Sequence, residues 1–219
     1  MLQYKSIQLT WLGQSGFRLK NGGVTYIDPF KLAATAEPAQ YVFVTHEHRD
    51  HFSLEDLKKI ITDSTIVVTS AACEKGIREL RPKEIRIAVP GAHLALDKIG
   101  VDVLPAYNNN KFRSPGVPFH PKADNKIGFI LSFGDVRIYH AGDTDDIPEM
   151  AAAKGVDLAL LPVSGTYVMT PGEAANACAM IEPKIAIPMH YGDVVGSRAD
   201  AEAFRKAVRC RVEILKPEP

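Results

Sequence analysis

The sequence predicts a mixed α/β domain in which helices cover β-sheets. Short β-branched or aromatic runs recur along the chain, and helix signals lie between the later ones. A strand-rich first half followed by strands alternating with helices is typical of this class. The chain has 219 residues, of which 46% are hydrophobic and 24% charged, as in folded globular proteins. Because this length is only about one and a half times a typical ~150-residue domain, residues 1–219 are expected to form a single domain.

The predicted strands are short apolar runs bounded by turn residues. In chain order they cover residues 7–11, 24–27, 41–45, 65–69, 85–89, 101–104, 127–133, 136–139, 158–163 and 185–189.

The helix signals are capping residues placed before amphipathic or Ala-rich stretches. Ser53 opens an amphipathic stretch that runs to Ile61. Thr170 and Glu173 form a capping box with proline at the first helical position. The last predicted helix covers residues 198–210.

One long irregular segment, residues 108–125, interrupts this pattern. It contains three consecutive asparagines and three prolines, and it is too long for an ordinary turn in a compact domain. Such a segment is expected to be a functional or mobile loop, and a disordered surface excursion is the alternative.

Composition counts against several classes of function. Lys+Arg 26 balance Asp+Glu 26, so the broad positive field that nucleic-acid binding needs is missing. The chain begins without the apolar segment of a signal peptide, and no apolar stretch approaches the ~18 residues of a membrane span. A cytoplasmic protein without a membrane partner is expected. Cys73, Cys178 and Cys210 are widely separated and are interpreted as reduced thiols without a metal or redox role.

The strongest chemical signal follows the predicted strand 41–45. His46, His48, Asp50 and His51 place four metal-competent side chains within six residues. Residues two apart in an extended segment point the same way, so His46 and His48 are placed to bind one ion. Asp50 and His51 lie beyond the turn and are placed to face a second ion. The alternative interpretation is a solvated charged turn.

Two further polar clusters stand at strand ends. Asp143 follows the strand 136–139, and Gly142 lets the chain turn beside it. His190 has the same position relative to the strand 185–189. Each cluster alone is compatible with a capped turn or a hydrogen-bonded core histidine, whereas together with the first cluster they indicate a metal site.

These motifs resemble those of the metallo-β-lactamase superfamily over nearly the whole chain. The matching positions are residues 11–17 and 27–30 with Asp28, the ligand motif His46, His48, Asp50 and His51, then Asp143 and His190. The sequences Tyr-His-Ala-Gly-Asp-Thr at 139–144 and Pro-Met-His-Tyr-Gly at 188–192 are most similar to the ascorbate-6-phosphate-lactonase-like metal-dependent hydrolases. The resemblance implies a four-layer αββα sandwich.

The resemblance also implies two divalent metal ions, expected to be Zn²⁺, with Mn²⁺ as an alternative. His46 and His48 would bind the first ion, whose occupancy is left open. Asp50, His51 and His190 would bind the second, and Asp143 would bridge the two. Asp50 is also assigned the catalytic role of orienting the attacking water or accepting its proton. Asp28 is expected to hydrogen-bond a ligand imidazole and fix its tautomer.

The chain departs from the family pattern at one ligand. Asn108 stands where a further histidine is expected, and an amide oxygen is a weaker ligand for zinc. His120, on the long loop, is a candidate substitute ligand or substrate contact, and an exposed loop histidine is the alternative. His93 has no motif around it and is interpreted as structural.

The function implied is metal-dependent hydrolysis in which a metal-bridging hydroxide attacks an ester, lactone or phosphodiester bond of a small substrate. The cations Lys111, Arg113, Lys122 and Lys126 on or beside the loop would suit an anionic substrate. Two alternatives stay open: a metal-binding protein without hydrolytic activity, and a nucleic-acid processing hydrolase. The sequence leaves a homo-oligomer open.

Overall fold

The structure, a computed structural model, describes residues 1–218. Within it the chain forms two compact units, the first made of residues 1–88 and 215–218 and the second of residues 89–214. Each unit contains a seven-stranded sheet. That residues 1–219 behave as one domain stays a prediction.

The first unit is built on strands β1 to β7 with helices α1 and α2. Their bounds are β1 Leu2–Tyr4, β2 Ile7–Gly13, β3 Gly16–Lys20, β4 Val24–Ile27, β5 Tyr41–Val44, α1 Leu54–Ile60, β6 Ile66–Thr69, α2 Glu74–Glu79 and β7 Glu84–Ile87. The strands lie in chain order across the sheet. Pairing is antiparallel from β1 to β4 and parallel from β4 to β7. A short 3₁₀ turn, Ala71–Cys73, precedes α2.

The core of the first unit explains why the segment after Ser53 is helical. Ser53 accepts a hydrogen bond from the backbone of Asp56 and caps α1 as the sequence predicts. Leu57 and Ile60 lie three residues apart and are fully buried, so one helical face packs against the strands.

The second unit contains strands β8 to β16 with helices α3 and α4. Their bounds are β8 His93–Leu96, β9 Ile99–Pro105, β10 Phe112–Ser114, β11 Val117–Pro118, β12 Ile127–Phe133, β13 Val136–His140, β14 Leu158–Pro162, α3 Pro171–Ile181, β15 Ile185–Met189, α4 Arg198–Ala207 and β16 Arg211–Val212. The main sheet has the order β16-β15-β14-β13-β12-β9-β8. Single 3₁₀ segments occur at Lys122–Asp124 and Pro148–Ala153.

Parallel pairing in the second unit brings strand ends to one edge. β13, β14 and β15 pair in parallel, so the residues that follow them emerge on the same side of the sheet. The predicted capping box at the start of α3 is present. The predicted helix 198–210 is wrong at its end, because the chain leaves α4 after Ala207 and pairs β16 with β15.

The segment 108–125 is more ordered than the sequence indicates. It folds into the hairpin β10–β11, a separate two-stranded sheet. Pro115 and Gly116 form the turn, and Gly116 supplies a φ of 75°. The polar, proline-rich composition hides these short strands from a search for hydrophobic alternation.

Residues 215–218 return to the first unit. Leu215 is buried, the backbone N–H of Glu218 donates to the carbonyl of Trp11 at 2.8 Å, and the Glu218 carboxylate pairs with Arg18 at 2.6 Å. Because β1 pairs with β2 only as far as Leu9, this C-terminal segment covers the part of β2 that β1 leaves uncovered.

The longest helix, α3, has 11 residues. Within residues 1–218 no helix has the length and apolar character needed to cross a membrane.

Candidate metal centre

The histidine-rich turn of the first unit starts directly after β5. The side chains of His46 and His51 are fully buried, and their ring centroids lie 4.1 Å apart. The His48 ring lies 4.6 Å from that of His46, edge to face. The turn therefore gathers the three predicted imidazoles into one cluster.

A buried carboxylate orients two of these imidazoles. Asp28 follows β4, and its Oδ2 lies 2.7 Å from Nδ1 of His51. The same oxygen accepts a hydrogen bond from the Thr45 hydroxyl at 2.7 Å, and that hydroxyl oxygen lies 2.9 Å from Nδ1 of His46. Since a carboxylate only accepts, His51 donates to Asp28 through Nδ1. The Thr45 hydroxyl spends its proton on the same carboxylate, so its oxygen accepts from Nδ1 of His46. Both imidazoles therefore carry their lone pairs on Nε2. The hydrogen bond that the resemblance implies for Asp28 is present.

Asp50 is fixed by a residue that the sequence analysis did not select. Gln14 is buried, and its Nε2 donates to Oδ2 of Asp50 at 2.9 Å. The same carboxylate oxygen lies 3.6 Å from Nε2 of His51. Gln14 has a left-handed backbone with φ of 46°, which turns the chain between β2 and β3.

In the second unit a carboxylate lies beside two imidazoles. Asp143 follows β13 and is buried. Its Oδ2 lies 3.3 Å from Nε2 of His190 and 3.4 Å from Nε2 of His120. Ser164, after β14, contacts Nδ1 of His190 at 3.1 Å. Three strand ends and the long loop thus contribute to one polar cluster.

His120 is buried, with 1% of its surface exposed, so the structure does not support an exposed loop histidine. Its backbone N–H and its Nδ1 lie 2.9 and 2.8 Å from Oδ1 of Asn108. Asn108 and His120 also pair through their backbones at the base of the hairpin. The Asn108 oxygen is therefore engaged by His120, and the His120 imidazole is the group beside Asp143.

The approach of β12 to the strand end before Asp143 requires glycine at position 128. A Cβ atom there would lie 2.7 Å from the carbonyl oxygen of His140 and 2.8 Å from that of Ala141. Real Cβ atoms do not come so close to backbone oxygens, so any larger residue would displace this strand end.

The loop lysines are paired with acidic residues. Lys111 contacts both carboxylate oxygens of Glu173, at 2.9 and 2.7 Å. Lys122 lies 2.7 Å from Glu149. These two cations are therefore poorer candidates for holding an anionic substrate than the sequence indicates, whereas Arg113 lies on the exposed hairpin and donates to the Phe119 carbonyl.

His93 lies outside both clusters. It is at the edge strand β8, with 82% of its side chain exposed, and it pairs with Asp102 on β9. The exposed position places His93 outside the metal site, and its interpretation as a structural residue stays a prediction.

The candidate ligands are of the donor types that divalent metals prefer. The candidate ligands are His46, His48, Asp50 and His51 in the first unit and His120, Asp143 and His190 in the second. Imidazole nitrogens and carboxylate oxygens suit zinc, manganese and iron. The cysteines are placed elsewhere: Cys73 lies in the first-unit core, and the sulfurs of Cys178 and Cys210 lie 3.1 Å from each other.

A family model described as a beta-lactamase superfamily domain matches residues 8–190, most of the chain. The chain belongs to the metallo-β-lactamase superfamily. The match spans the ligand motif after β5, Asp143 and His190, so the resemblance found in the sequence is confirmed.

Individual relatives and solved structures of the superfamily are similar to this chain over nearly its whole length. It is 31% identical to the UPF0173 metal-dependent hydrolase of Archaeoglobus fulgidus over 96% of each chain. A metal-dependent hydrolase of Parabacteroides distasonis superposes with a TM-score of 0.78 at 29% identity, covering 96% of this chain and 94% of that one. A metallo hydrolase from Ignicoccus hospitalis superposes with a TM-score of 0.76 at 23% identity, covering 97% and 96%. The predicted metallo-β-lactamase fold is confirmed, and the chain belongs to the UPF0173 metal-dependent hydrolase family.

Several residues that support the candidate ligands of this metallo-β-lactamase chain were missed by sequence reasoning. They are Gln14, Thr45, Asp145, Ser164 and Tyr167. Only Asp145 left a local signal, a second acidic residue two positions after Asp143 in the same turn.

Proposed function

We propose that this chain hydrolyses a small substrate with the help of two divalent metal ions. The assignment of ligands to ions follows the family resemblance. His46, His48 and His120 would bind the first ion, Asp50, His51 and His190 the second, and Asp143 would bridge them. His120 takes the position that the resemblance leaves open at Asn108.

One observation carries this proposal: hydrogen-bond partners at Nδ1 of buried histidines, together with Nε2 atoms that face a buried carboxylate, support Nε2 as the ligand atom. In the first unit Thr45 and Asp28 engage Nδ1 of His46 and His51. In the second unit Nε2 of both His120 and His190 faces the buried Asp143 carboxylate. A hydrogen bond that holds one ring nitrogen and leaves the other for the ion is typical of histidines that bind metals.

The chemistry follows from the donor set. Divalent ions, when bound, polarise the scissile group and lower the pKa of a coordinated water to near 7. The Asp50 carboxylate is proposed to orient the attacking water and accept its proton, while Gln14 holds its Oδ2 in place. Asp28 would keep the His51 imidazole in the tautomer that a ligand needs.

The proposed bond is an ester, lactone or phosphodiester, and Zn²⁺ or Mn²⁺ is the proposed metal. With Lys111 and Lys122 already paired, Arg113 on the hairpin is the cation best placed to contact an anionic substrate. A cytoplasmic location stays an expectation from the sequence.

The first experiment combines metal analysis with an activity screen. The purified protein is expected to contain close to two metal ions per chain and to hydrolyse at least one of the phosphodiesters, lactones or thioesters tested with Zn²⁺ or Mn²⁺. His48→Ala and Asp143→Ala should abolish turnover and lower metal content while the circular dichroism spectrum is retained. His93→Ala is the matched control, because that histidine is exposed on an edge strand, and it should leave both readouts unchanged.

Other outcomes separate the alternatives. Full activity in either ligand variant would refute the dinuclear hydrolase. About one ion per chain without turnover would support a metal-binding protein that lacks hydrolytic activity. Salt-dependent binding of RNA or DNA would instead support a nucleic-acid processing enzyme.

A further inference from the structure

The orientation of the Asn108 side chain is determined by its partners. The amide is buried with 6% of the residue exposed, and it contacts groups on three sides. Its Nδ2 lies 3.1 Å from Oδ1 of Asp145 and 3.0 Å from the carbonyl oxygen of Tyr167. Its Oδ1 lies 2.9 Å from the backbone N–H of His120. A carboxylate and a carbonyl only accept and a backbone N–H only donates, so only this orientation satisfies all three.

This orientation has a consequence for the His120 ring. Nδ1 of His120 lies 2.8 Å from Oδ1 of Asn108, an oxygen that can only accept. The ring nitrogen must therefore carry the proton. In a neutral imidazole the lone pair then lies on Nε2, which is the nitrogen 3.4 Å from Oδ2 of Asp143.

Asp145 fixes Asn108 in turn. It is fully buried, and its Oδ2 accepts the backbone N–H groups of Asn109 at 2.6 Å and Asn110 at 2.9 Å. Its Oδ1 accepts from the Asn108 amide. The Asp145 carboxylate thus holds the backbone of Asn109 and Asn110 as well as the Asn108 side chain that contacts His120.

We propose that Asp145 and Asn108 are positioning residues that lock His120 in its Nδ1–H tautomer, so that Nε2 is delivered as a ligand beside Asp143. The ligand role of His120 rests on the proposed function, whereas the tautomer is a property of the metal-free protein. The turn 143–145 therefore supplies both a ligand carboxylate and, two residues later, the anchor for a ligand from a distant loop.

The first test is the ¹⁵N NMR spectrum of His120 in metal-free protein at about pH 9, where an ordinary imidazole is neutral. The unaltered protein is expected to show the Nδ1–H tautomer. Asn108→Leu removes the acceptor, so the proton should move to Nε2, where Asp143 can accept it. Asn176→Leu is the matched control, since that exposed amide donates to Asp146 and does not contact His120, and it should leave the tautomer unchanged.

The second test exchanges the two side chains. Asn108→Asp alone places two carboxylates against each other and should weaken Zn²⁺ binding by about 10–100-fold, as should Asn108→Leu. Adding Asp145→Asn restores a donor opposite the new carboxylate, so the double variant should recover the Nδ1–H tautomer and part of the Zn²⁺ affinity. Recovery of affinity should be incomplete because the Tyr167 carbonyl still faces an acceptor. This rescue also decides the matter if Asn108→Leu does not fold.

An Nε2–H tautomer in the unaltered protein would overturn the proposal, and so would a double variant no better than Asn108→Asp alone. Failure of the proposed function looks different: Zn²⁺ would not bind or substrates would not turn over, while the Nδ1–H signal of His120 would still be present in the metal-free protein.

Discussion

Besides Gln14, two residues of the candidate metal centre have a left-handed backbone although neither is glycine. Asp28 has φ of 44° directly after β4, and His190 has φ of 59° directly after β15. This conformation costs roughly 1–2 kcal/mol for a residue with a Cβ atom. At Asp28 the turn directs the carboxylate to the backbone N–H and hydroxyl of Thr45 and to His51, and these buried hydrogen bonds offset the strain.

The substitution Asp28→Asn tests this arrangement. Asp28 accepts the Thr45 backbone N–H on Oδ1 and the Thr45 hydroxyl and His51 Nδ1 on Oδ2, whereas an amide has only one oxygen and must turn its N–H groups towards one of these donors. We expect Zn²⁺ affinity to fall about 10–100-fold. The free energy of unfolding should fall by about 1–3 kcal/mol. Chelator competition and urea denaturation measure the two effects.

Asp102→Asn is the control for Asp28→Asn, because that carboxylate also contacts a histidine but is partly exposed on β9, beside the edge strand β8. It should change neither quantity. Wild-type metal affinity in Asp28→Asn would show that the carboxylate does not orient a ligand.

At the scale of single residues, the sequence predicted candidate ligands but not the residues that hold them. His46, His48 and His51 stand out because metal-binding side chains are rarely so dense in a short segment. Gln14 contacts Asp50 across 36 positions of sequence, and an isolated glutamine carries no sign of such a contact. Asn108 was identified as a departure from the family pattern, yet its hydrogen bond to His120 depends on how the hairpin closes.

Among the elements, helix α3 and the hairpin segment share one carboxylate. Glu173 completes the capping box with Thr170 and also contacts Lys111 and Asn110. Burial by itself raises the pKa of Glu173, but the hydrogen bonds from Lys111 and the Thr170 backbone outweigh it and lower that pKa to about 2. The ionised form therefore stabilises the folded state.

The substitution Glu173→Gln should make the free energy of unfolding depend less on pH in the acid range. The pKa of Glu173 is lower in the folded than in the unfolded protein. Its contribution to the free energy of unfolding is therefore complete above the unfolded pKa of about 4.5 and is lost as the pH falls towards the folded pKa of about 2. Glutamine can keep part of the cap, so we expect a loss of roughly 0.5–1 kcal/mol at pH 7. The difference from the unaltered protein should shrink below about pH 4.5 in urea titrations.

Glu182→Gln is the matched control for Glu173→Gln, since its partner Lys154 is 63% exposed and the pair lies in solvent. It should have almost no effect at any pH. A Glu173→Gln difference that stays constant down to pH 3 would argue against the ion pair.

Elements with a strong apolar pattern were predicted and weakly patterned ones were not. The buried strands β12 and β15 match their predicted bounds because nearly every residue in them is apolar. The short hairpin strands β10 and β11 and the two-residue β16 have little apolar content of their own. β10 and β11 pair with each other across a two-residue turn, and β16 pairs with β15 from beyond α4, so apolar periodicity does not show any of the three.

At the scale of the whole molecule, deleting the C-terminal segment tests whether residues 215–218 stabilise the first unit. Deleting residues 215–219 removes the buried Leu215 and leaves Arg18 without Glu218. We expect the first unit to lose about 2–3 kcal/mol of stability, mostly from Leu215. Trp11 is the single tryptophan and accepts the Glu218 backbone hydrogen bond, so its fluorescence in urea reports this loss directly.

Glu218→Gln in the full-length chain is the control for the deletion. It keeps Leu215 and the backbone hydrogen bond and removes only a half-exposed ion pair, so it should cost less than about 1 kcal/mol. An unchanged fluorescence midpoint in the deletion variant would mean that the segment does not stabilise the first unit.

The fold class was predictable from strand and helix patterns, but the return of residues 215–218 was not. The positions of the apolar runs and helix caps predict a mixed α/β class, and the ligand motifs predict the superfamily. The segment 215–218 contains one apolar residue between charged and proline residues, so it has no pattern of its own. Its partner Arg18 lies 200 positions away, and only the folded chain brings them together.

The position of this segment also affects how the protein is made. The first unit contains the beginning of the chain but is closed by residues 215–218, so it cannot be completed on the ribosome until residues 89–214 have been synthesised. At about 5–20 residues per second this delay is roughly ten seconds. During that time the uncovered part of β2 presents an open strand edge, which is a site for non-native pairing with another strand.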